Sequence, residues 1–120
     1  MVLTFVALRI WLGFTPNADF DVAGYNIHHL FTGIVLVTAC AIPLILRSSR
    51  DRLRSLLLVG FGVGLALVLD EWVYLIVTDG SNASYLLPVS FRGGAIAIAL
   101  AAVYAILVGR FTATERESDR

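Results

Sequence analysis

Three long apolar runs dominate the chain, over residues 30–46, 56–78 and 93–108, and a shorter one opens it over residues 1–14. A helix needs roughly 17 to 25 apolar residues to cross about 30 Å of hydrocarbon, so the three runs approach or reach spanning length. Of the 120 residues 58% are hydrophobic and 15% charged, too little polar surface to cover the core of a soluble domain. The pattern predicts an all-α, polytopic membrane protein with four transmembrane helices in a bundle, at about 1–15, 28–46, 55–78 and 92–111. They form one domain over 1–112, followed by a polar cytoplasmic tail over 113–120. The first run contains Arg9. It reads as a helix rather than a signal peptide, because the arginine comes late and no small-residue cleavage site follows.

The connections orient the chain. "RSSRDRLRS" sets Arg47, Arg50, Arg52 and Arg54 against Asp51, and the tail adds Arg110, Arg116 and Arg120, whereas residues 15–27 and 79–91 carry only Asp19, Asp21 and Asp79. Arginine-rich short loops stay in the cytoplasm, so both termini are expected inside and the other two connections outside. Asn82-Ala83-Ser84 matches a glycosylation sequon and is read as a turn marker. All nine basic residues are arginine. That suggests a GC-rich or halophilic prokaryote, and hence the prokaryotic inner membrane.

Composition also narrows the partners. The net charge is zero, which points away from nucleic acid and from strong attachment to anionic lipid. The lipid bilayer is the expected partner. Four short helices enclose little volume, so a transport path would require a homo-oligomer or a larger membrane complex. The lone Cys40 has no intrachain partner, which sets disulfides and thiolate clusters aside. There is no Walker loop, GxSxG elbow or HExxH pair.

Against this background "LALVLDEWVYLI", residues 65–76, is costly, because it places Asp70 and Glu71 inside an apolar run. Each acid near a helix centre costs roughly 2.5 to 3.5 kcal/mol, so the two together take about the 6 kcal/mol that the fourteen Leu, Ile, Val and Phe residues of that run return. Counted from Ser55 at 1.5 Å per residue, Asp70 stands roughly 22 Å up, toward the outer leaflet. Acids in such a place face the protein interior and need partners. His28 and His29 open the second helix at the same depth and Arg92 opens the fourth, so a polar cluster of His28, His29, Asp70, Glu71 and Arg92 is expected. Arg9 stays unassigned.

Helical phase separates the two acids. Glu71 shares a face with Gly60 and Gly64, whereas Asp70 follows Gly62 and Ala66, about 100° away. Gly33 shares a face with His29, which makes His29 the inward imidazole and turns His28 off the contact. Gly33, Gly60, Gly62 and Gly64 are the expected points of close helix packing, and Gly94, Ala97, Ala101 and Ala105 form a further small-residue stripe.

"IHHLFTGIVL", "GFGVGLALVLDEWVYLI" and "SYLLPVSFRGG" together resemble a group of small, uncharacterised prokaryotic integral membrane proteins. These pair a His-His-x-x-x-Gly helix with a glycine-rich helix ending in Leu-Asp-Glu-aromatic. The likeness covers residues 27–92 and rests on His28, His29, Gly33, Gly62, Gly64, Asp70, Glu71 and Tyr85. It implies kinship and supplies no activity. Three readings stay open. The polar groups fix helix register in a structural or accessory subunit; or His29, Asp70 and Glu71 bind a divalent transition metal; or the cluster is the protonatable or substrate site of a small carrier or receptor. A hydrolase, with Glu71 as general base to a metal-bound water, lacks any sign of a substrate or nucleophile.

Overall fold

A computed structural model describes residues 1–15, 21–22, 25–26, 28–46 and 51–118. The order is α1 (Val2–Phe14), an antiparallel ladder of β1 (Asp21–Val22) with β2 (Tyr25–Asn26), α2 (His29–Ile45), α3 (Asp51–Val77), α4 (Asn82–Tyr85) and α5 (Pro88–Ser118). Apart from that ladder and the short turns between elements, the described chain is helical. Arg47, Arg50, Asp19 and Arg120, which helped orient the chain above, lie outside the described residues.

Two of these helices, α3 and α5, are long and apolar enough to cross a membrane, whereas α1 has 13 residues and α2 has 17. Both long helices begin four residues before their expected starts. Asp51 favours the first turn of α3 by facing the positive end of the helix dipole. Pro88 suits the first position of α5, where its missing N–H is not needed. The expected polar tail instead prolongs α5 through Ser118, since "TATERES" contains no helix breaker.

The central column is α3, with α2 along one side and α5 and α1 along another. Two stripes on α3 explain this arrangement. Gly60 and Gly64 face α2, which runs antiparallel: a Cβ at Gly64 would stand 2.8 Å from the Gly33 carbonyl oxygen, and one at Gly60 would stand 2.6 Å from Cys40 Sγ. Only residues without side chains let two backbones approach so closely. The second stripe, Gly62, Ala66 and Asp70, faces α1 and α5. There Phe5, Ala66 and Ile98 form a small core, with Met1, Leu69 and Ala95 packed against it.

On this second side α1 runs parallel to α3 in a constant register. Met1 adjoins Gly62, Phe5 clusters with Ala66, and Arg9 meets Asp70 at a sequence separation of 61. The 13 residues of α1 reach only about 20 Å, so this helix accompanies the Val77 half of α3. Gly62 corrects one expectation. A Cβ there would lie 3.8 Å from the nearest atom, an ordinary contact, because Gly62 faces the start of α1 and not α2. The alanine stripe of α5 likewise thins out: Gly94 and Ala97 are buried, Ala101 is half-buried, and Ala105 is exposed.

Candidate functional site

The polar site lies toward the Val77 end of α3, where Asp70 is 0% and Glu71 2% exposed. The two neighbours point to different helices, as their 100° separation dictates. Asp70 meets α1. Arg9 Nε donates to Asp70 Oδ1 at 2.7 Å, and the remaining guanidinium N–H groups reach the carbonyl of Tyr85 at 3.1 Å, that of Ser90 at 3.3 Å and the Ser90 hydroxyl at 3.2 Å. The guanidinium carbon of the same cation lies 4.1 Å from the centre of the Tyr85 ring, with the Phe5 and Phe91 rings at 5.6 and 5.8 Å. A guanidinium suits this place because it is weakly hydrated, planar and forked. Gly94 leaves the room: a Cβ there would stand 2.9 Å from Asp70 Oδ1.

Tyr85 reaches Asp70 through the turn that follows α3. Gly80 takes a positive φ of 74°, a conformation glycine adopts without penalty. The chain then reverses, with Ser81 capping α4. Asp79 Oδ1 accepts from the Ser84 hydroxyl at 2.7 Å and from the Ser81 amide at 3.0 Å, and Tyr74 donates to the Ser81 carbonyl at 3.1 Å. The bonds from Ser84 and then Ser81 hold the exposed Asp79 carboxyl down at about 2. The turn delivers the Tyr85 hydroxyl to Asp70 Oδ2. Burial first, and then the Asp70 carboxylate, push the Tyr85 phenol above its ordinary range, so it remains a donor.

Glu71 meets the start of α2. The helix has no side-chain cap of its own; instead Glu71 Oε2 accepts the Leu30 amide at 2.6 Å, and Oε1 contacts His28 Nδ1 at 2.7 Å. A carboxylate at a helix N-terminus satisfies an orphan N–H and faces the positive end of the dipole. Glu71 therefore caps α2 from another helix. His29 lies between the acids, with Nε2 3.2 Å from Asp70 Oδ2 and Nδ1 3.5 Å from Glu71 Oε2. The Tyr85 ring stands edge-on to both His29 and Tyr74, at 5.5 and 5.3 Å. No buried side-chain nitrogen or oxygen among the described residues lacks a hydrogen-bond partner.

Of the residues expected from sequence, His28, His29, Asp70 and Glu71 come together and Arg92 does not. Arg92 is exposed: the inward face of α5 carries Ser90, Gly94, Ala97 and Ile98, and a residue two places from Ser90 points about 200° away. The guanidinium on Asp70 belongs to Arg9. His28 is also corrected. It is the N-cap residue, with ψ of 142°, so helical phase does not govern its direction and it reaches Glu71. For the divalent metal expected on His29, Asp70 and Glu71, no three His, Cys, Asp or Glu side chains among the described residues are arranged to hold an ion. The carboxylate oxygens are turned to Arg9, Tyr85, the Leu30 amide and the imidazoles themselves.

Sequence reasoning missed Arg9, Tyr85 and Ser90 as members of the cluster. Arg9 had a signal, since a cation inside an apolar run needs a partner. Ser90, 0% exposed, had none. Comparison with protein-family models, curated proteins and solved structures finds no match.

Proposed function

We propose that this chain is a small integral membrane protein of the prokaryotic inner membrane, a structural or accessory subunit in which the polar cluster sets the register of the helices. The carrying observation is that the donors and acceptors of the buried cluster are spent on one another, across α1, α2, α3, α4 and the start of α5. Such a network positions helices and leaves little to offer a substrate. In this reading four helices are embedded: α3 and α5 cross the bilayer, α2 crosses beside α3, and α1 follows the outer half of α3. The far end of α5 lies toward the cytoplasm, whereas Met1 stands beside Gly62, partway up α3.

The surface supports the membrane setting. In the most apolar stretches of α3 and α5 only 22% and 17% of residues are buried within the protein, whereas the central helix of a soluble fold would be mostly covered. Arg52, Arg54 and Arg110 stand toward one end of the helices and Asp79 at the other, in keeping with cytoplasmic arginines. The bilayer is then the first partner, and a homo-oligomer or larger membrane complex is the working assembly.

Two experiments test this. An impermeant maleimide applied to intact cells should label Ala83→Cys and spare Thr112→Cys, each in a Cys40→Ala background; outside labelling at 112 overturns the orientation. For the register role, Arg9→Leu and Asp70→Leu should together cost less stability than the sum of the two single changes. Additive losses would end the clamp reading, and the mass of the purified protein in detergent decides the oligomer.

A further inference from the structure

Below Gly62 the face of α3 that carries Ala66 and Asp70 loses its cover. Among the described residues, Met1 alone brings atoms from outside the helix within 4 Å of a Cβ built at Gly62. Helical phase continues that face downward through Val59, Ser55 and Arg52, and all three are exposed. The inward face of α5 behaves in the same way. Gly94, Ala97 and Ala101 run on into Ala105 and Gly109; Ala105 is exposed, and a Cβ at Gly109 would meet nothing within 4 Å. The two helices that pack closely where Gly94 meets Asp70 therefore part below Gly62, and an open slot lies between their facing sides.

The slot has the length of one leaflet. Ten residues separate Gly62 from Arg52, roughly 15 Å at 1.5 Å per residue, or half of about 30 Å of hydrocarbon. Val59, Ala105 and Gly109 offer water no side-chain partner, so within a bilayer the slot fills with hydrocarbon. Its lower end is different. There a cavity of about 400 Å³ is lined by Asp51, Arg52, Ser55 and Leu56. The Ser55 hydroxyl is spent on the Asp51 carbonyl at 3.0 Å. Arg52 forms no ion pair among the described residues, and its neighbour Asp51 is set about 100° round the helix.

We propose that the slot holds one anionic phospholipid of the inner leaflet, with an acyl chain between α3 and α5 beneath Met1 and its phosphate on Arg52. This goes beyond the register-setting role of the polar cluster and rests on the membrane placement proposed above. Apolar walls take the chain by dispersion contact, and a guanidinium fork takes the phosphate; basic pockets between membrane helices on the cytoplasmic side hold anionic headgroups in this way. The zero net charge of the chain does not oppose it, because Asp70, Glu71 and Asp79 stand toward the other end of α3. α1 and the lipid then complete the same face of α3, one in each leaflet.

Spin-labelled phosphatidylglycerol and phosphatidylcholine, each added to phosphatidylcholine vesicles containing the full chain, test this. The chain should immobilise phosphatidylglycerol with about fivefold preference. Arg52→Gln should abolish that preference, and Arg54→Gln, which removes an equal charge from the opposite face of α3, should retain it. No preference in the wild type, or equal losses in the two variants, overturns the proposal. Val59→Cys in a Cys40→Ala background should stay monomeric under oxidation in the membrane; a disulfide-linked dimer places a second copy in the slot and overturns the lipid. A chain that does not insert into the vesicles removes the membrane reading together with the lipid site, whereas an inserted chain without lipid preference removes the lipid site alone.

Discussion

The α2–α3 seam and the α1 joint sit on adjacent stripes of the same helix and are built by opposite means. The seam works by shape: Gly33 against Gly64 and Cys40 against Gly60 let two backbones touch along several turns, with Glu71 closing the far end through the Leu30 amide. The α1 joint works by charge. Of its 13 residues only Phe5 is buried, and its anchor is Arg9 on Asp70, enclosed by Tyr85, Phe5 and Phe91. A short helix with one buried apolar side chain gains little from dispersion, so a single strong polar contact has to set its position. A long seam of small residues needs no such anchor, which explains why Glu71 serves as a cap there.

The contrast can be broken most forcefully at Arg9. Arg9→Leu should cost about 3 to 5 kcal/mol, because it leaves Asp70 buried without its cation. Reversible unfolding in mixed micelles measures the loss, and a cost below about 1 kcal/mol would show that α1 is held by something other than charge. Next comes the seam. Gly64→Ala drives a methyl to within 2.8 Å of the Gly33 carbonyl oxygen, and should cost about 1 to 3 kcal/mol by the same measurement.

Two smaller effects sharpen the comparison. At Gly62, on the α1 side, an added methyl lies 3.8 Å from its nearest neighbour. Gly62→Ala should therefore stabilise α3 by about 0.5 to 1 kcal/mol through reduced backbone entropy; opposite signs for Gly62→Ala and Gly64→Ala would separate the stripes directly. The smallest effect concerns the turn that delivers Tyr85. Asp79 is held down from 3.8 to about 2, so its support of the turn is complete above the unfolded value and is lost as pH falls through the folded one. The Ser81 and Ser84 amide resonances should shift across that window, and a midpoint at the ordinary carboxylate value would show that Ser84 and Ser81 do not hold Asp79.

Much of this division is legible before any fold is known. The four-residue steps Gly62, Ala66, Asp70 and the separate stripe Gly60, Gly64, Glu71 send the two acids to different neighbours, because α-helical geometry fixes their directions. His29 and Gly33 fall on the inward face for the same reason. The phase argument fails where the helix ends: His28 lies outside α2 by its backbone angles. Arg92 misleads because α5 starts at Pro88, and depth along a helix says nothing about which way a side chain points around it.

Run lengths and acid spacing determine that the chain is helical, that its longest helices are apolar enough to span a membrane, and that two carboxylates must find partners at one depth. These are local properties, set by covalent order and helical period. Tertiary structure alone decided which cation answers Asp70. Arg9 and Asp70 are 61 residues apart, and their meeting depends on the parallel register of α1 on α3, which Met1, Phe5 and the small residues opposite them establish through contacts distant in sequence. The burial of Ser90 and the arrival of Tyr85 through the Gly80 turn have the same origin. Each requires two elements to be docked before the bond can form, and no single stretch of sequence carries that information.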